Sequence, residues 1–273
     1  MSVEQLCYST DGTLEGLLTA LAVALAAGDG TAAADGPPVP QNILIDHPAQ
    51  TALFQADVPI LTDLELAGRL QQRIIQRLGI QAYHQIKLLY LAEKPERGGV
   101  ALRYLGYLLP RGRQARDHLA QPAVAAAWEI TQQVQKEANW VIEFLRFADV
   151  GGGLFYAHIQ PKANVVPLVM GHFAARFNIQ PFVIQDSLHN LSGVYDGRHW
   201  WLAEGLPQAL SPGANPAEDQ FSALWQRFYK TIAIAERRNP TLQRNLMPKR
   251  FWGDLCEQQL PYERRGDCQT LSY

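Results

Sequence analysis

Val141-Ile142-Glu143-Phe144-Leu145-Arg146-Phe147-Ala148-Asp149-Val150, Gly151-Gly152-Gly153, then Leu154-Phe155-Tyr156-Ala157-His158-Ile159-Gln160 is the stretch where the chain changes its period. Both flanks are rich in β-branched and aromatic residues, and the three glycines supply the dihedral freedom of a tight reversal. The stretch therefore reads as a hairpin with strands over 141–150 and 154–160. Before it the apolar residues recur at helical spacing, and after it short strands follow. Helices grouped first and strands grouped second indicate α+β rather than alternating α/β. The expected architecture is a mostly antiparallel sheet packed against a helical block and C-terminal helices. A single domain is expected over 1–273: a mostly helical part with an N-terminal strand (1–142), a β-rich part (143–204) and C-terminal basic helices (205–273).

Working upstream, Gln5–Ser9 reads as a strand, Asp11-Gly12 as a turn, and Thr13–Ala27 as a helix apolar over most of its circumference. Gly28–Gln41, with three prolines, is a surface connection. Thr62-Asp63-Leu64-Glu65 has the spacing of a capping box, opening a helix to about Leu78 with Leu66, Leu70, Ile74 and Leu78 on one face. Further helices are expected at Tyr83–Ala92, Ala101–Leu109 and Pro122–Ile142. Arg69, Arg73, Arg77, Arg111, Arg113 and Arg116 scatter over this block and read as solvated faces.

Downstream, Asn164–Phe177 returns to helical spacing, with Asn164 as a candidate N-cap, and Phe182–Gln185 is a short strand. Gly193–Tyr195 and His199–Leu202 flank Asp196-Gly197, a hairpin signal. Trp200 and Trp201, adjacent in a strand, fall on opposite faces, one expected in the core and the other a candidate stacking surface. Asn215 and Pro216 open a last long helix to about Arg238, ended by Asn239-Pro240, with short helical pieces over Thr241–Leu255.

The whole-chain charge is −2, which excludes a protein that grips phosphates with its entire surface; any anion-binding surface must be local. Cys7, Cys256 and Cys268 are odd in number and far apart, so neither a disulfide framework nor a metal site is expected. The apolar run Leu17–Ala27 is too short to span a bilayer, and no positive residue precedes it. No membrane partner is expected, and the location implied is cytoplasmic. Gly151-Gly152-Gly153 lacks the lysine and serine of a phosphate loop, and neither a dinucleotide fingerprint nor a nucleophile elbow is present, so no cofactor is expected.

Phe221, Leu224, Trp225, Phe228 and Ile232 fall on one helical stripe, read as buried. Outside it lie Arg227, Lys230, Arg237, Arg238, Arg244, Lys249 and Arg250, against the single acid Glu236. Tyr229, Phe251 and Trp252 stand beside them. Cations interleaved with aromatic rings suit phosphates and stacked bases; the alternative is that the rings are core and the cations pair with acids elsewhere. A second constellation comprises His158, Asn164, His172, Arg176, Asp186 and His189. Within it His158, His172 and Asp186 are the candidates for acid–base work, and His172 with Arg176, one turn apart, for holding an anion.

Leu224–Pro240 and Met247–Trp252 resemble the C-terminal signature of a bacterial family assigned to DNA metabolism or repair, built on a domain of unknown function. Residues 144–147, 154–157, 165–168 and 172–177 resemble it too. Members of that family are typically encoded beside a radical-SAM protein linked to DNA repair, and similar domains are fused to uracil-DNA glycosylase-like domains. The resemblance implies an accessory protein that binds DNA, single-stranded or damaged, and works with a radical-SAM partner. The alternatives are a nucleic-acid-modifying enzyme using the His/Asp site, and a protein-only scaffold.

Overall fold

Tyr8 and Cys7, both almost wholly buried, belong to a strand flanked on each side by a parallel neighbour. The computed structural model describes residues 5–28, 40–45, 55–206, 223–228, 231 and 239–255. They fall into two compact units, Met1–Glu137 with Lys162–Asn164, and Ala138–Pro161 with Val165–Tyr273.

In the first unit, β1 (Gln5–Ser9) is the middle strand of a three-stranded sheet in the order β2 (Asn42–Leu44), β1, β3 (Gln55–Pro59). Both pairings are parallel, with Tyr8 opposite Ile43 and Val58. Parallel strands require a crossover, and α1 (Leu14–Gly28) stands between β1 and β2 in the chain. Its Leu17, Leu18 and Leu21 are at most 2% exposed, so the apolar run is a core helix. No helix among the described residues is long and apolar enough to cross a membrane.

The helices α2 (Leu64–Leu78), α3 (Ile80–Leu91) and α4 (Arg97–Arg111) follow, then a 3-10 turn (Arg113–Asp117) and α5 (Pro122–Phe144), whose first sixteen residues lie in this unit. The α2 cap differs from the expected capping box. Asp63 is the cap, accepting the N–H groups of Glu65 and Leu66, while Thr62 donates its hydroxyl to Asp11. The carboxylate is the better acceptor for two donors, and Asp11 engages the threonine from another loop. Asp11 also accepts the backbone and hydroxyl donors of Thr13. The N-terminus of α4 lies against β2: Asn42 accepts from Gly99 N–H at 2.8 Å and donates to Pro95 O at 3.2 Å. Gly98 permits this approach, since an added Cβ would meet Ile43 backbone and side chain.

In the second unit, a five-stranded sheet runs β4 (Ala148–Asp149), β5 (Phe155–Ile159), β6 (Phe182–Asp186), β7 (Leu191–Tyr195), β8 (Trp200–Glu204). The α+β class stands, but the sheets are not mostly antiparallel. The first is parallel, and in the second β5 and β6 are parallel while the other three pairings are antiparallel. The inserted helix α6 (Val166–Phe177) is the reason, because it carries the chain back to the end where β5 began. The 141–160 hairpin is also shorter than expected. Residues up to Phe144 continue α5, leaving β4 only two residues before the glycines. Asn164 does not cap α6; Val165 holds the cap position, and the Asn164 side-chain oxygen is buried without a hydrogen-bond partner. Phe147, Phe173, Phe177 and Phe182 form the aromatic core, with ring centroids 4.5–5.4 Å apart.

Candidate nucleic-acid interface

Helix α2 turns Ala67, Leu70, Ile74 and Leu78 into the core, which sends the opposite face to solvent. That face carries Arg69, Gln72, Arg73, Gln76 and Arg77, lining an open depression of about 410 Å³. At 1.5 Å per residue the arginines rise about 6 Å apart, a row three cations long. Arg69 lies 3.6 Å from Glu65 with both side chains largely exposed, a pairing that solvent screens to little. Arg77 donates from Nε to Leu109 O at 2.6 Å, fixing its guanidinium at the carboxyl end of α4. There Arg111 lies 4.3 Å over the Tyr107 ring and donates to Tyr107 O, and exposed Arg113 follows. Residues 64–117, from the start of α2 to the end of the 3-10 turn, hold ten Lys and Arg against four acids, Glu65, Glu93, Glu96 and Asp117, and Glu93 is 2.9 Å from Arg97. A chain of net charge −2 thus carries a local excess of positive charge in these helices.

The C-terminal cations, in the second unit, are placed differently. Arg227, Arg244 and Lys249 are exposed. Arg250 lies over the rings of Trp140 and Phe251, 5.2 and 5.0 Å from their centroids. Lys230, Arg237, Arg238 and Tyr229 lie outside the described residues, as does most of the helix expected over 215–238. Asn239 and Pro240 open a new helix, α7 (Pro240–Leu246), with Asn239 accepting from Leu242 N–H. Phe251 is not a surface ring: it is 6% exposed and packs on Trp140 and Phe144. Half-buried Trp252 donates to Met247 O. Conversely, of the stripe expected to be buried, Leu224, Trp225 and Phe228 are exposed, and Phe221 and Ile232 lie outside the described residues. Periodicity identifies an apolar face without showing that anything covers it. Trp200 and Trp201 are both exposed as well, on the edge strand β8, so neither ring is core.

The His/Asp candidates have separate partners. Fully buried Asp186 accepts from the N–H groups of Leu188 and His189 and lies 2.5 Å from His189 Nδ1. His189 Nε2, on the far side of the ring, is buried with no hydrogen-bond partner. The pair braces the turn between β6 and β7. His158 Nε2 meets Ser187 Oγ at 2.9 Å. His172 is exposed and edge-on to Phe173, and Arg176 is exposed on the same helix. Among the described residues no group of three or more His, Cys, Asp or Glu is placed to hold a metal ion.

Comparison with known protein families finds a model described as a domain of unknown function, DUF4130, which matches residues 95–257, more than half of the chain. Searches of the curated proteins and of the solved structures return no match.

Proposed function

Because the chain belongs to the DUF4130 family, whose description leaves activity open, its function has to be read from its surface, and we propose an accessory protein of DNA metabolism that binds nucleic acid through phosphates. The observation that carries this is the arginine row of α2. Arg69, Arg73 and Arg77 line one depression, extended at the end of α4 by Arg111 and Arg113, and the acids nearby are too few to neutralise them. Successive cations about 6 Å apart match the way phosphates repeat along a strand better than they match a single small anion. The exposed cations Arg227, Arg244 and Lys249 would add contacts from the C-terminal part. The likeness of Leu224–Pro240 and Met247–Trp252 to a family of DNA metabolism supports DNA as the polyanion, and a radical-SAM DNA-repair protein as the partner it would serve. Fluorescence anisotropy with labelled single-stranded and duplex DNA over a salt series tests the reading. Phosphate contacts require an affinity that falls steeply as salt rises; no binding at low salt refutes it.

A further inference from the structure

The first unit also contains a groove between α3 and α5 with a volume of about 440 Å³, within the roughly 300–1,000 Å³ of small-ligand sites. From its chemistry we propose that it holds one unstacked nucleobase of a bound single strand; this rests on the phosphate-binding reading above. The floor is apolar, made by Leu88 and Val124, both nearly inaccessible. The wall is Trp128, which keeps 48% of its surface exposed although it sits on a helix whose neighbouring apolar residues Val124, Ala127 and Ile130 are buried. An exposed indole face beside an apolar floor fits a flat ring by stacking. Four amides contribute to the lining, Gln81 and Gln85 from α3 and Gln132 and Gln135 from α5, beside His84, Thr131 and exposed Leu119, and Gln132 donates to Gln135 at 3.2 Å. An amide offers both an acceptor oxygen and N–H donors, the complement of a base edge, which also carries both.

The groove is built rather than incidental. Gln85 donates to Thr131 Oγ1 at 3.0 Å and accepts from the buried Tyr104 hydroxyl at 3.4 Å, while Thr131 in turn donates to Trp128 O. Two helices are thereby held in register across it, and Gln85 retains a second N–H beyond the one used on Thr131. At the rim Arg116 donates to Gln81 Oε1 and lies 3.7 Å from Asp117. It brings a cation, beside Asp117, to the mouth, where the phosphate flanking a bound base would lie.

The test compares an oligothymidine with an abasic strand of the same length by anisotropy at low salt, for wild type, Trp128→Ala and Trp128→Phe. Loss of one stacked base costs on the order of tenfold in affinity. Wild type should therefore prefer the oligothymidine by about that factor; Trp128→Ala should lose the preference while keeping the salt slope, and Trp128→Phe should restore most of it. Because Trp128 is half exposed, the variants should keep the wild-type circular dichroism spectrum, and Gln132→Ala gives an independent reduction without touching the indole. Equal affinity for both strands in wild type, with a normal salt slope, overturns the groove and leaves phosphate binding standing. A preference that survives Trp128→Ala also overturns it, assigning stacking to another ring such as Trp200 or Trp201. If wild type binds neither strand, both proposals fall.

Discussion

Alanine at Gly98 would put a methyl group into β2. The added Cβ falls inside contact distance of the Ile43 carbonyl oxygen and 2.9 Å from Ile43 Cβ, where ordinary contact begins near 3.4 Å. The carbonyl oxygen is the tighter contact, so the N-terminus of α4 must withdraw by about 1 Å from a strand whose backbone is pinned in the sheet. That shift strains the two hydrogen bonds Asn42 makes to Gly99 and Pro95. Overpacking a tight site costs about 1–3 kcal/mol, and weakening two hydrogen bonds adds about 1 kcal/mol. A loss of about 3 kcal/mol corresponds to a fall in Tm of roughly 6–12 °C at this chain length. Gly68 is the control, since it lies inside α2 with nothing within 4 Å of an added Cβ; there alanine should gain about 0.5–1 kcal/mol and raise the melting temperature slightly. Thermal melts followed at 222 nm compare the two. If Gly98→Ala melts within about 2 °C of wild type, the packing of α4 on β2 is not as described.

Three further outcomes follow from the same contacts. Asp11 is held below the usual carboxylate range, first by the Thr13 hydroxyl and then by the Thr62 hydroxyl. Its contribution is present above the ordinary Asp value, near pH 4, and disappears as pH falls through the lowered one, so Asp11→Asn should flatten the acid limb of stability against pH. An unchanged acid limb would show that Asp11 does not contribute. Asp186→Asn places an NH₂ or a weaker acceptor before three donors at a fully buried position, which should cost about 2 kcal/mol in urea denaturation; a loss well under 1 kcal/mol argues against the brace. Arg250→Ala should cost about 0.5–1 kcal/mol through its lost cation–ring contacts and leave DNA affinity nearly unchanged, whereas Lys249→Ala should weaken binding without lowering stability. Equal effects of the two on affinity would refute that division.

The helices were legible because their apolar residues repeat. Leu70, Ile74 and Leu78 mark α2, and the structure buries them. Strand direction was not legible, since it depends on which end the chain returns to, and that is set by α1 and α6 as connections rather than by any residue of β1 or β5. Asn42–Leu44 and Gln55–Pro59 gave no strand signal at all, being short and without alternation. The Val141–Phe144 segment satisfied both periods, and its continuity with α5 decided in favour of helix. At the surface, sequence drew attention to the tail because its cations stand beside aromatic rings, yet Phe251 proved to be packed and Arg250 stacked. The arginines of α2 were visible individually, but their significance needed α4 beside them, since Arg77 reaches Leu109, 32 residues away. The glutamine groove left no trace in the sequence, because its two halves come from helices 46 residues apart at Gln85 and Thr131.

The measurement that discriminates is the slope of log affinity against log salt for wild type and an Arg69→Gln/Arg73→Gln/Arg77→Gln variant on the same single-stranded DNA. Each lost phosphate contact removes about 0.7 from that slope, so the triple variant should be flatter by about 2 while retaining its helical content. A variant with the wild-type slope would mean that α2 does not touch phosphate.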